Sequence, residues 1–378
     1  YHLLIKNLKM SYIHQYNITT PLGLDLESTM EAVLSGQTGI ALQADRGRFA
    51  NVPMSVFSEN ALTAYPDYMR YPHLTRLQRL LYVAVAPLLK NIRITERTGL
   101  LLSTTKGDIR SLEKGTDTLP FLHHTAKELA EVLGIRTTPM VVSNACVSGV
   151  MALSVASRLL EAGVYDSMLI VAGDEVTDFV LSGFNSFQAM SSSPCKPYDA
   201  NRDGISLGEA TAALWLSNER EGAVAKIVGG ASINDANHIS GPSRTGEGLY
   251  LSIAAALQQA GLQPEAIDLI NAHGTGTLYN DEMESIALMR SGLLNTPVNS
   301  YKGYFGHTLG TSGLLESILS VALAKRGMAL RSLNFKRLGV SHNINVLAKN
   351  ERLKTHYLLK TASGFGGSNT AVVIEIYE

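Results

Sequence analysis

Short apolar runs of β-forming residues alternate with longer stretches of helical spacing along almost the whole chain. Strand candidates are Thr98–Ser103, Met140–Ser143, Ser167–Gly173, Thr211–Leu216, Ala223–Ser232, Leu269–Ala272, Val298–Asn299, Thr355–Ala362 and Thr370–Tyr377. Between them lie helical patterns over Ser28–Leu34, Leu77–Leu88, Ala126–Leu133, Gly149–Glu161, Gly246–Ala260, Asp281–Met289 and Gly313–Lys325. Such alternation commits a chain to the α/β class, because helices that follow strands pack back over the sheet and leave it buried. With 378 residues, 45% of them hydrophobic, the chain can bury a large core and make two domains or one duplicated unit. The polar stretch Ser217–Gly222 is the best divider, giving halves over 10–218 and 223–378.

The charge balance directs the search away from polyanions. Net charge is −1 and only 17% of residues are charged, so no nucleic-acid partner is expected, although a local basic patch can still meet an acidic protein. The longest apolar stretch, Leu80–Leu89, is far too short to span a bilayer. Tyr1 to Lys9 lack the apolar core and cleavage site of a signal peptide, and Met10 reads as a natural start. Two cysteines, Cys146 and Cys195, make no disulfide framework and fit a reducing, cytoplasmic setting.

Cys146 sits in Ser143-Asn144-Ala145-Cys146-Val147-Ser148-Gly149, where an extended run gives way to a helix. A thiol there lies near the positive end of a helix dipole, an environment expected to favour thiolate and to cradle an oxyanion. Three glycine-rich clusters follow downstream: Asn271–Thr277 around His273, Lys302–Gly313 around His307, and Gly364–Asn369. Glycine clusters at strand ends let backbone approach backbone or ligand, and sites are commonly built there. Each cluster alone is equally well a structural turn.

Together they resemble the β-ketoacyl-acyl-carrier-protein synthases of types I and II, the condensing enzymes of fatty-acid and polyketide assembly. The resemblance runs from Thr20-Pro21-Leu22-Gly23 to Gly364–Asn369 and includes Lys196-Pro197-Tyr198-Asp199-Ala200-Asn201-Arg202-Asp203-Gly204, then Leu207-Gly208-Glu209. It implies a thiolase-like fold, two related halves in five α-β-α-β-α layers with the site between them. It also implies that Cys146 is the acylated nucleophile and that His273 and His307 complete a Cys-His-His triad. Lys302 matches the family's active-site lysine, and Asp281 and Glu284 match its downstream acidic pair, with Glu284 the expected partner of Lys302 and Asp281 a substrate-binding residue. Thr275 and Thr277 match the threonines that bind the phosphopantetheine arm. Phe365 matches the gating phenylalanine, whose N–H joins that of Cys146 in the oxyanion hole. The implied reaction is decarboxylative condensation of an acyl-enzyme with malonyl carried on an acyl carrier protein (ACP). No cofactor of its own and no metal are expected, the phosphopantetheine arm arriving on the ACP. Homodimers are the usual form, with a chain-length-factor partner in some cases.

The chemistry suits these residue types. Thiolate both attacks and leaves well, the tetrahedral oxyanion needs fixed donors, and neutral imidazoles can donate to an enolate or activate water against the departing carboxylate. A buried Lys302 needs an acidic neighbour. One departure bears on specificity. Lys106, in Ser103-Thr104-Thr105-Lys106-Gly107-Asp108, falls at or beside an apolar position of the family's acyl tunnel, which points to an aryl or polyene chain rather than a long saturated one. Arg76, Arg79 and Lys90 are candidates to meet an acidic carrier, with a solvated charged face the plainer reading. Asp199, Arg202 and Asp203 read as a turn or ion-pair network. Cys195 reads as incidental, and His123, His124 and His238 as surface or packing histidines. Competing functions are a chain-length-factor-like subunit without chemistry, against which the intact Cys146, His273 and His307 argue, and a thiolase-like transferase, which would need a second cysteine after Cys195. No Gly-x-Ser-x-Gly elbow leads a helix, so a hydrolase is disfavoured.

Overall fold

A computed structural model describes residues 9–43, 49–113, 115, 121–235 and 241–378; His238 lies outside them. Ten strands form the main sheet: β1 Ser11–Thr19, β2 Thr98–Ser103, β3 Met140–Val142, β4 Ser167–Asp174, β5 Ala210–Ser217, β6 Ala225–Asn234, β7 Leu269–Asn271, β8 Val298–Asn299, β9 Tyr357–Gly364 and β10 Ser368–Ile376. The order across the sheet is β8-β7-β9-β10-β6-β1-β5-β4-β2-β3.

That order is the same motif written twice. In the first half β3, β2 and β4 are parallel neighbours and β5 and β1 follow antiparallel. In the second, β8, β7 and β9 are parallel and β10 and β6 follow antiparallel. The halves join where Ser11–Ile13 of β1 pairs with Ala225–Ile227 of β6. Duplication invisible in side-chain identity is thus plain in topology.

Six helices give the layers: α1 Arg76–Val85, α2 Leu122–Leu133, α3 Ser148–Glu161, α4 Glu247–Ala260, α5 Leu278–Arg290 and α6 Ser312–Lys325. α1, opened by a Thr75–Gln78 capping box, and α2 bury Leu77, Leu81, Ala126 and Leu129 on the outer face of the first half. α4 and α5 cover the second half with Leu249, Ile253, Met283 and Ala287. α3 and α6 lie between the halves, their Leu153, Leu160, Leu315 and Ile318 packing with strand residues of both. The architecture is the five-layer thiolase-like fold.

The two central helices touch at their first turns. A Cβ on Gly149 would fall 2.5 Å from the Leu314 nitrogen, and one on Gly313 would fall 2.5 Å from the Val150 nitrogen. Only glycine permits that approach. Two helix N-termini, each carrying partial positive charge, therefore meet at one place.

The strand and helix expectations match observed elements to within a few residues; several short elements were not foreseen, and two longer ones were also missed. β1 reads Ser-Tyr-Ile-His-Gln-Tyr-Asn-Ile-Thr, too polar for a buried-strand signal, yet Ile13 and Ile18 are fully buried and a register shift lies between Ile13 and Gln15. The helix Asp178–Ser186 is likewise absent from the expectations.

Candidate active site

The site forms where the α3 and α6 N-termini meet. Cys146 lies on the β3–α3 connection, beside a backbone forced tight: Ala145 has φ 43°, a left-handed conformation rare for a residue with a Cβ. Ser148 supports the turn by accepting from the Asn144 N–H at 2.8 Å and donating to the Ala145 carbonyl at 2.7 Å. Across the sheet, Ser368 donates to the Asn144 side chain at 2.9 Å, tying the Gly364–Asn369 loop to the Cys146 loop.

His273 follows β7. Its loop is shaped by two carboxylates of α5: Glu284 accepts from the N–H groups of His273 and Gly274 at 2.8 and 2.7 Å, and Asp281 accepts from those of Thr275 and Gly276 at 3.0 and 3.2 Å. The i, i+3 spacing puts both acids on one face of the helix. His307 lies on the segment that joins β8 to α6. Its N–H donates to the Ser206 carbonyl at 2.7 Å and its carbonyl accepts from Gly208 N–H at 3.0 Å. A Cβ on Gly208 would sit 1.9 Å from the Phe305 carbonyl oxygen, which explains the glycine in the Leu207-Gly208-Glu209 motif.

Donor atoms of Cys146, His273 and His307 all lie within 4.8 Å of one another, and the two rings stand edge to face, centroids 5.1 Å apart. His307 Nδ1 is 3.0 Å from Ser312 Oγ, while its Nε2 is buried without a hydrogen-bond partner among the described residues. Burial, with Lys302 nearby, holds both imidazoles well below the ordinary histidine range, so both are neutral. The thiol expectation is corrected. Burial pushes Cys146 up to about 11, although Lys302, Lys106 and a hydrogen bond from the Phe365 N–H pull the other way. Desolvation outweighs those pulls, so the buried thiol is held protonated.

The group opens on a cavity of about 350 Å³. Thr275 and Thr277, hydrogen-bonded to each other at 2.8 Å, line it with Phe365, Leu278 and Tyr279. Phe184 and Phe187, from the unforeseen helix and its end, complete an aromatic wall, their centroids 5.7 and 5.1 Å from that of Phe365. Asp281 does not line the cavity; it is fully buried under the histidine loop. Lys106 is half-buried near Cys146 but outside the cavity wall.

Lys302 is fully buried, and its partner is not Glu284. Glu316 of α6 takes its ammonium at 2.8 Å, while Glu284 is occupied by backbone, by Asn280 and by the Tyr198 hydroxyl at 2.9 Å. Glu316 falls one turn into a helix that reads as apolar, so a carboxylate there was itself the missed signal. Lys360 is the second omission: a lysine inside Leu358-Leu359-Lys360-Thr361-Ala362, fully buried, 2.5 Å from the other oxygen of Glu316. Around the site, Asp199 accepts from the N–H groups of Asn201, Lys336 and Arg337, and Arg202 donates to the Gly339 and Leu278 carbonyls, as a turn network should. Arg76 is not available to a carrier, being locked between Glu175 and Glu209, and Arg79 stacks on Tyr68; Lys90 stays exposed. Cys195 is buried and donates to the Lys302 carbonyl at 3.0 Å.

The chain is similar to known proteins along nearly its whole length. The family models for the β-ketoacyl synthase N-terminal and C-terminal domains match residues 16–222 and 224–336. A putative mitochondrial 3-oxoacyl-[acyl-carrier-protein] synthase of Schizosaccharomyces pombe is 26% identical over 97% of this chain and 98% of its own. The 3-oxoacyl-[acyl-carrier-protein] synthase 2 of Rhizobium meliloti is 32% identical over 62% of this chain and 60% of its own. Among solved structures, the ketosynthase ApeO in complex with its chain length factor ApeC from Xenorhabdus doucetiae superposes with TM-score 0.86, 25% identity and 98% of each chain covered. With topology, paired helix N-termini and a buried thiol facing two neutral imidazoles all in agreement, this chain belongs to the β-ketoacyl synthase family, the condensing enzymes of fatty-acid and polyketide synthesis.

Proposed function

We propose that Cys146 is the acyl acceptor of a decarboxylative condensation in which ACP delivers both substrates. The observation that carries this reading is the convergence of Cys146, His273 and His307 on one cavity, with His307 Nε2 unpartnered among the described residues. In loading, His307 Nε2 takes the thiol proton as the sulfur attacks the incoming thioester carbonyl. The oxyanion accepts from the N–H groups of Cys146 and Phe365, and the carrier thiol leaves with the proton. In extension, the bond between the malonyl carboxyl carbon and Cα breaks, CO2 departs, and the electron pair becomes an enolate on the thioester. N–H groups of His273 and His307 stabilise its oxygen. The enolate carbon then attacks the Cys146 thioester and expels the sulfur, giving a 3-oxoacyl product. Ser312 Oγ can accept from or donate to His307 Nδ1, so Nε2 can serve as acceptor in loading and donor in extension.

Thr275 and Thr277 at the cavity wall suit the phosphopantetheine arm, and no resident cofactor is called for. Glu284 and Asp281 act by fixing the histidine loop, and Lys302 by its charge. Short strand β3 is half-buried at the edge of the sheet next to the nucleophile loop, a surface suited to a second copy of the chain or to a chain-length-factor subunit. Among the described residues no helix is long and apolar enough to cross a membrane, and we place the activity in the cytoplasm. Lys106 beside the nucleophile favours aryl or polyene starters over long saturated chains. Intact-mass measurement after incubation with saturated and aryl-primed acyl-ACPs tests both points. A mass increase that maps to Cys146 is expected, larger for the aryl chains; no acylation by any of them would overturn the condensing reading.

A further inference from the structure

Glu316 is shared. Its Oε1 takes Lys302 at 2.8 Å and its Oε2 takes Lys360 at 2.5 Å, with all three side chains buried. One carboxylate therefore faces two ammonium groups. The remaining donors of Lys360 point at the carbonyls of Asn271 and Ala272, at 3.4 and 3.5 Å, directly ahead of His273. A lysine committed to a buried strand is costly, and a second cation on one carboxylate costs more, so a purely structural account favours an apolar residue here.

No second carboxylate forms an ion pair with either lysine among the described residues. From α5, Glu284 acts on Lys360 through its charge, but it accepts from two backbone N–H groups, Asn280 and Tyr198 instead of pairing with it. Burial raises its carboxyl. From the loops come His273 and His307, both neutral, and from α6 only Glu316. We propose that Lys360 is a positioning residue that divides Glu316 with Lys302 and so leaves two ammonium groups sharing one paired carboxylate beneath the two imidazoles, selecting for negatively charged groups in the cavity of Cys146. It rests on the condensing reading only for naming the natural anion, the malonyl carboxylate and the enolate that succeeds it.

Burial and Lys302 bring Lys360 down to about 8, against the pull of Glu316. The Lys360 charge should therefore disappear as pH rises through about 8. Alkylation of Cys146 by iodoacetate and by iodoacetamide tests this without any turnover. In both, sulfur attacks the methylene carbon and iodide leaves, so the ratio of the two rates cancels the thiolate fraction and reports local charge. Peptide mapping separates Cys146 from Cys195. In the wild-type protein the iodoacetate-to-iodoacetamide ratio is expected to fall at least threefold between pH 6.5 and 9.5 (about three pH units spanning the Lys360 transition). In Lys360→Met and Lys360→Gln it should be low throughout and flat. Variants with the wild-type ratio and the same pH trend overturn the proposal. Should neither variant fold, a wild-type ratio that does not change across pH 8 overturns it equally. Failure of the condensing reading would appear separately, as no acylation of Cys146 by carrier thioesters.

Discussion

The two halves of the molecule use one strand order and put different chemistry at the same point of it. In each, the third strand of the motif leads to a central helix: β3 to α3, β8 to α6. In the first half the connection is the tight turn 143–147, strained at Ala145, and it offers one thiol. In the second it is the longer segment 300–311, with a short helix over Lys302–Phe305, and it offers an imidazole and a buried ammonium. The equivalence brings both connections to the junction of two helix N-termini, so Cys146 and His307 meet although 161 positions separate them in sequence. Duplication supplies the placement; divergence of the two connections supplies the reaction.

The division of labour can be broken most sharply at the thiol. Cys146→Ala should lower product formation by about 10⁴-fold or more while leaving the fold intact; condensation at near wild-type rate would restore the chain-length-factor reading. Next comes the charge support in the second half. Glu316→Ala strands two buried ammonium groups and should cost about 3–5 kcal/mol in chemical denaturation, with a loss under about 1 kcal/mol showing that the cluster is hydrated.

The contact between halves is the third place to press. Gly149→Ala drives a Cβ against the α6 backbone and should cost about 1–3 kcal/mol, read as a lower Tm, whereas Gly183→Ala, with open space around it, should not. Acid provides a smaller, graded effect. His273 and His307 stay neutral in the folded protein, while the unfolded chain protonates them below about 6.5. Stability present above that pH should fall with acidification by about 1.4 kcal/mol per pH unit for each imidazole, and His307→Asn should reduce the slope; an unchanged slope would show that other groups carry it. The least effect is expected at the rim: Phe187→Ala removes a half-exposed ring from the aromatic wall and should weaken acyl-chain loading by several-fold, about 1 kcal/mol.

Much of this was legible beforehand because strands buried on both faces spell continuous apolar runs. Ser167–Asp174 and Ala210–Ser217 are buried at every position and were readable as strands. β1 was not, since its buried positions alternate with polar ones and are put out of phase by the register shift. Cys146, His273 and His307 stood out in glycine-rich loops at strand ends. The ion pairs did not, because a carboxylate's partner depends on which helix faces it: Glu284 looks at the histidine loop and Glu316 at the lysines. The thiol's protonation also escaped, since the helix N-terminus is visible in sequence and the depth of burial is not.

The linear chain alone determined the α/β alternation, the residue types of the triad and the glycines that make close approach possible, because each is a property of local spelling. Tertiary packing decided which charges meet, how far burial lifts the Cys146 thiol, and that Lys360 shares a carboxylate with Lys302. Those are energies of desolvation and Coulomb attraction, and they depend on distances between segments that sequence does not contain.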